Sequence, residues 1–554
     1  MKLRAAWIAL AVLAAWLLSP ALYPVHVEGF SASIVSLGIH LSEGTLADFF
    51  PSQPINTEYF GLTKLGAVLG VAGLVKLGLS GEAAMRLLTL LGLILLAGGS
   101  ARLIRQWTGA PWLLICAVLL LIPGIAESSF FFADNMLGAG LLVAGLAIFA
   151  ARQGVATALA TGLLTGLAIT VRTDLVLVTP AILLIAWQRQ PLPRAAAATA
   201  IAAIASLTTL WLAFALVGAS PLDAIRTGAR AVTLWERPGD LWRQSLAMLL
   251  FLGPPALLLC LLGIRPALAG GRHRAALLLG MPLLMNLALA GRIWEVRQLL
   301  PLTPFLASVC VLGAMQLLSE WRSGRRFMPG AVSALIAAVL IAPPAIVYVS
   351  DGPRAMIGRI AAIPLWQQWQ AGVRGNFALI DRVIASAPPG ATFAVVTDYW
   401  NEDRYLHLRL LEHGYRAVPQ SPECDAIGQT MAKGDRTILQ ISPHQTFLAN
   451  AGTLYPARLT QLASPCLHGL QPVLIASSDR VRRLANGIDP VAAWHPDDPE
   501  LTATVLSPAL LDRLGRDHRL ESANDPPGKF RTLDAARDAT RAQTRFGTRQ
   551  AGRR

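Results

Sequence analysis

Residues Phe60–Leu79 read FGLTKLGAVLGVAGLVKLGL. The run is apolar and about as long as a helix needs to cross a ~30 Å hydrocarbon core. Yet it is rich in glycine and carries Lys64 and Lys76, both expensive at membrane depth. Whether it spans decides which side every later loop faces. If it spans, the basic turns at Arg102/Arg105, Arg152, Arg189/Arg194, Arg265/Arg272/Arg274 and Arg322/Arg325/Arg326 fall mostly outside. If it does not, all of them fall inside, where short-loop arginines belong. The run is therefore read as an interfacial or re-entrant helix on the outer side.

The rest of the chain follows from that choice. Of 554 residues, 54% are hydrophobic and 14% charged, with a mean hydropathy of +0.51. Soluble chains carry about a quarter charged residues. The deficit is confined to Met1 to about Ser350, where apolar runs begin near Ala5, Ala83, Trp112, Phe132, Val155, Leu175, Ala195, Leu246, Ala275, Leu299 and Met328. Together they make about eleven spans. Lys2 and Arg4 precede the first, which lacks a clean cleavage site and is read as an anchored helix with the N-terminus inside. Residues 351–520 have ordinary soluble composition, and 521–554 form a basic tail without apolar periodicity, expected to be disordered.

The expected fold class is thus a polytopic α-helical membrane protein with outer interfacial helices and a small α/β C-terminal domain outside the membrane. A soluble enzyme, a porin-like barrel and a disordered chain are excluded. The net charge of +14 does not indicate nucleic acid, because the excess sits in orienting loops and in the tail. Arginine-rich, lysine-poor usage points to a GC-rich bacterial genome. Inside is then the cytoplasm of a bacterial inner membrane, and outside is the periplasm or cell surface.

Polar residues that apolar spans do not require gather on the outer side. The first outer loop, Tyr-Pro-Val-His-Val-Glu-Gly-Phe, sets His26 and Glu28 just past the first span, with Glu58 further along. Phe-Phe-Phe-Ala-Asp-Asn places Asp134 at the mouth of another span, where it also reads as a helix start signal. Arg86 opens a span, Arg172 and Asp174 sit at an outer turn, and Arg292, Glu295 and Arg297 precede a late span. Charges beside hydrocarbon mark a cavity unless paired or wetted. Carboxylates suit proton removal from an acceptor, and arginine forks suit phosphate. The set reads as a site for a lipid-linked phosphate.

No phosphate-binding Gly-x-x-x-x-Gly-Lys loop and no dinucleotide fingerprint occurs, so ATP-driven transport by this chain is not expected. His26 has no partner at zinc spacing. Cys424 and Cys466 are the two cysteines of the soluble part, and in an oxidising compartment they can pair. Near the first of them, Ala-Thr-Phe-Ala-Val-Val-Thr-Asp398 reads as a short strand after a helix and a Pro-Pro-Gly turn.

The order of these features resembles a known family. Leu77-Gly-Leu-Ser-Gly-Glu-Ala-Ala-Met-Arg-Leu-Leu opens a span, and the Phe-Ala-Asp-Asn turn follows. Next comes Gly162-Leu-Leu-Thr-Gly-Leu-Ala-Ile-Thr-Val-Arg-Thr-Asp174, and Arg297-Gln-Leu-Leu-Pro-Leu-Thr-Pro304 opens a late span. Over roughly Met1–Ser350 this resembles the GT-C integral-membrane glycosyltransferases, in particular the branch of lipid A aminoarabinose transferases and protein O-mannosyltransferases. The resemblance implies transfer of a sugar from a polyprenyl-phosphate donor to a glycan, lipid or protein acceptor on the outer face. It implies catalytic carboxylates at Glu28 and Asp134, and a donor phosphate held by Arg86, Arg297 and Arg172. His26, Glu58 and Glu295 are accessory candidates. No cofactor is assigned, and a divalent metal is left open. Two departures stand out: Val27 precedes Glu28 where the family often has Asp, and Asn56-Thr-Glu-Tyr59 replaces a His/Lys-Pro-Pro segment. The alternative readings are a lipid or glycan transporter and a non-catalytic envelope assembly protein.

Overall fold

The computed structural model describes residues 29–44, 61–130, 134–226, 241–289 and 296–322, and between 393 and 505 six strands with a few residues near them. The runs expected to start near Ala5 and Met328, and the tail 521–554, lie outside the described residues. Every other run named above is helical. Helices α1 (Gly29–Glu43) and α2 (Leu65–Lys76) come first. At 12 residues α2 is about 18 Å long, too short to cross a bilayer core. Among the described residues four helices are long and apolar enough to cross: α3 (Gly81–Thr108), α6 (Asp134–Ala151), α9 (Leu192–Ala215) and the stretch Arg297–Glu320.

The remaining runs are broken where the sequence breaks them. The run from Trp112 is two short helices, α4 (Trp112–Leu120) and α5 (Pro123–Phe130), parted where Pro123 withholds a backbone N–H. Helix α7 (Val155–Val171) starts at Gly154, whose N–H donates to Thr157 Oγ1 at 3.0 Å. A 3-10 turn, Thr173–Val178, leads into α8 (Pro180–Trp187), which begins on a proline already set for a first helical turn. Helix α10 (Leu241–Ala269) is kinked at Gly253, whose φ of 65° is open to glycine and precedes two prolines. The four-residue α11 (Arg272–Ala275) passes through a wide turn, Ala276–Gly280, into α12 (Met281–Leu289). A 3-10 segment, Val296–Leu302, containing Pro301, feeds α13 (Thr303–Arg322).

The described residues fall into two compact units. One takes Leu62–Gly70 and 83–322. Its core is a continuous cluster in which Phe149, Phe251 and Phe305 are fully buried, and Trp107 stacks on Phe305 with ring centroids 5.5 Å apart. Leu207, Trp211 and Leu212 on α9 are more than half exposed, as side chains that meet lipid are. Lipid offers such helices no hydrophobic drive to associate, so close packing holds the bundle.

The other unit takes 29–44, Val71–Glu82 and the sheet. Its strands are β1 (Phe393–Thr397), β2 (Arg416–Ala417), β3 (Thr437–Ile441), β4 (Gln471–Ser477), β5 (Ala492–Trp494) and β6 (Leu501–Val505). They lie in the order β2-β3-β1-β4-β6-β5. β1 pairs in parallel with β3 and β4, whereas β6 runs antiparallel to β4 and β5. β1 falls on the stretch read as a strand. In the same unit Glu412 Oε1 accepts the backbone N–H of Glu82 at 3.3 Å, placing a carboxylate at the positive end of α3.

Candidate active site

Asp134 is the first residue of α6, and its side chain is 8% exposed. Its Oδ2 accepts a hydrogen bond from Lys64 Nζ at 2.8 Å, and Lys64 is itself only 14% exposed. A helix start and a buried ion pair are therefore both true of Asp134. Lys64 lies at the turn that opens α2, and that turn is held down by close backbone packing. A Cβ on Gly66 would run into the Thr170 hydroxyl and lie 2.9 Å from the Val171 amide nitrogen. Only glycine lets α2 come this near the end of α7.

Just past that contact the chain is extended at Arg172, whose N–H donates to Ala168 O at 2.9 Å and whose carbonyl accepts from Leu175 N. The backbone so fixed, Arg172 turns its fork onto Asp174. Nε donates to Oδ1 at 2.9 Å and Nη2 to Oδ2 at 2.6 Å, a bidentate pair. Arg172 is buried.

The two pairs form one electrostatic group. Asp134 feels the positive charges of Lys64, Arg172 and Arg297, and Lys64 feels Arg172, Asp134 and Asp174. Burial and the neighbouring Arg172 hold the Lys64 ammonium below the usual lysine value, against the pull of the two carboxylates. Among the described residues, Lys64, Arg172 and Arg297 act on Asp134, and Lys64 and Arg172 on Asp174. Such a site attracts an anion that can share the arginine forks.

Of the residues expected from sequence, the structure gathers Asp134, Arg172 and Arg297. Arg86 is half-buried on α3 and is not among the cations that dominate the surroundings of Asp134. Glu28, His26, Glu58, Glu295, Cys424 and Cys466 lie outside the described residues. Lys64 was the residue missed: it entered the sequence reading only as a reason why its run cannot span. The same cost implies a buried acidic partner, which is the signal that points to it. Among the described residues no three His, Cys, Asp or Glu side chains gather to hold a metal ion. Asp134 and Asp174 each already hold a cation, so as they stand they do not fit one.

The fold has structural likenesses among solved proteins at low sequence identity. It is similar to ArnT from Cupriavidus metallidurans solved with undecaprenyl phosphate, at 16% identity and a TM-score of 0.59, over 91% of this chain and 98% of that one. Apo ArnT gives 15% identity and 0.58 over the same shares. Archaeal oligosaccharyltransferase AglB from Archaeoglobus fulgidus, with an inhibitory peptide and a dolichol-phosphate, is a looser likeness. It has 12% identity and a TM-score of 0.46, over 87% of this chain and 70% of that one. No family model matches the chain, and no curated protein matches it.

Proposed function

We propose that this protein is a glycosyltransferase that moves a sugar from a polyprenyl-phosphate donor to a glycan, lipid or protein acceptor. The observation that carries the reading is the buried group of Lys64–Asp134 and Arg172–Asp174, at the helix ends of an ArnT-like bundle. The undecaprenyl phosphate in the ArnT structure supports a lipid phosphate as its anion. The protein works in the bacterial inner membrane, with its N-terminus in the cytoplasm and residues 351–520 in the periplasm. The acceptor arrives from the periplasmic side, and Cys424 and Cys466 pair there.

The chemistry follows from the charges. An acceptor hydroxyl or amine attacks the anomeric carbon. The bond from that carbon to the phosphate oxygen breaks, its electron pair stays on the phosphate, and the acceptor's proton passes to a carboxylate. Arg172, Arg297 and Lys64 neutralise the leaving phosphate, so it needs no proton of its own. The Lys64 ammonium on Oδ2 makes Asp134 a weaker base. A donor phosphate competes for Lys64 and thereby frees that oxygen, coupling donor binding to activation of the base. From the sequence, Glu28 is the second carboxylate candidate and Arg86 a further candidate for the donor phosphate.

The test compares wild type with Asp134→Asn at matched amounts, supplying polyprenyl-phosphate donors extracted from membranes. The expected result is transfer by wild type and a loss of about 100-fold or more in the variant. Undiminished transfer by Asp134→Asn would remove the assignment. No transfer by wild type with every donor lipid supplied would favour a transporter or an assembly protein.

A further inference from the structure

Helix α6 runs about 27 Å from Asp134 to Ala151, so its far end reaches the opposite mouth of the bundle. There the last carbonyls of α6 are tied to neighbouring helices. Ala150 O accepts from Gln106 Nε2 at 2.7 Å and from Arg189 Nη1 at 2.8 Å. Two residues before Arg189, Trp187 meets His273 edge to face, with ring centroids 4.5 Å apart. His273 sits in α11 between Arg272 and Arg274. One end of the bundle thus collects Arg189, Arg272 and Arg274 around an aromatic contact.

Among the described residues none of the three arginines pairs with a carboxylate. Glu320, late in α13, accepts a hydrogen bond from Gln316. Arg274 is the telling residue. Its Nε and Nη2 are shut off from solvent and have no hydrogen-bond partner. The side chain is folded back over Gly270, where a Cβ would lie 2.5 Å from Cδ and 2.9 Å from Nη1. Arg274 is half-buried, and two guanidinium donors unmet and out of reach of water are costly; rotation off Gly270 frees them to meet an acceptor.

We propose that Arg274, with Arg272 and Arg189 beside it, binds the phosphate of an anionic glycerophospholipid in the leaflet opposite the Asp134 group. A phosphodiester supplies the paired oxygens that a guanidinium fork matches, and its headgroup depth is that of the helix ends. Trp187 is at home in the same interfacial layer. In the orientation proposed above this is the cytoplasmic leaflet. The lipid is a structural ligand that ties α11 to the end of α8, and it is distinct from any donor.

The experiment uses the full-length protein in a neutral detergent. Phosphatidylglycerol, phosphatidylcholine or inorganic phosphate is added, and lipid retention is read by native mass spectrometry alongside the melting temperature. Wild type is expected to retain phosphatidylglycerol about tenfold better than phosphatidylcholine and to melt several degrees higher with it. Arg274→Gln is expected to lose that preference. Arg274→Lys keeps the charge but not the fork and is expected to fall between them, which serves if the glutamine variant does not fold. Equal retention of the two lipids by wild type would overturn the proposal, as would retention by Arg274→Lys undiminished from wild type. Stabilisation by inorganic phosphate alone, equal to that by phosphatidylglycerol, would overturn the lipid as the source.

Discussion

Lys64 and Asp134 have both left water, and their attraction has to offset two desolvation penalties. Breaking such a pair costs more than the pair is worth, because one buried charge is left alone. Lys64→Met is therefore expected to destabilise the protein by about 3 kcal/mol, the low end of the usual range, since Arg172 and Arg297 still act on Asp134. Lys64→Met/Asp134→Leu removes both charges and is expected to recover much of that loss. Thermal unfolding in detergent for the two single variants and the double gives the coupling energy. A double variant no more stable than Lys64→Met would mean that the ion pair is not what Lys64 supplies. In the transfer assay both Lys64 variants are expected to stay inactive, which separates folding from function.

At the scale of elements, the site exists because a loop-borne lysine is pressed against the end of a helix far along the chain. Gly66 is the point of contact between α2 and the Thr170–Val171 end of α7. Gly66→Ala puts a methyl group where the Thr170 hydroxyl and the Val171 backbone already are, so the elements must part by some tenths of an ångström or more. The expected outcome is a stability loss of about 1–3 kcal/mol, with transfer falling more steeply than the amount of folded protein. Matched expression, melting temperature and activity check it. The α3, α6 and α9 runs were plain in sequence, since uninterrupted apolarity over such lengths has few other meanings. The breaks at Pro123, Gly253 and Pro301 were written there too, but hydropathy averages over them. Only backbone geometry turns those runs into the shorter helices seen.

For the molecule as a whole, the reading of Phe60–Leu79 as a segment that does not cross sets the orientation. Orientation itself is open to a direct test. Leu77 is 79% exposed just past α2, and Arg272 is exposed in α11. With Cys424 and Cys466 replaced by Ser, Leu77→Cys is expected to react with a membrane-impermeant maleimide on intact spheroplasts. Arg272→Cys is expected to react only after permeabilisation. The reverse pattern would place residues 351–520 in the cytoplasm and leave no periplasmic site to propose.

The sequence alone determined that the chain is a many-helix membrane protein with a strand-containing C-terminal part, and it picked out Asp134, Arg172 and Arg297. Each of those properties is local: hydrocarbon thickness counts residues, and a charge beside an apolar run is visible in the run itself. The tertiary structure decided who meets whom. Lys64 looked like an obstacle to insertion because its cost is local, whereas its partner Asp134 stands 70 residues away. Pairing over that distance depends on how α2 packs on α7, which no periodicity encodes. The same holds for Arg274: its sequence neighbours mark it as a loop cation, and only the folded chain leaves its guanidinium donors buried and unmet.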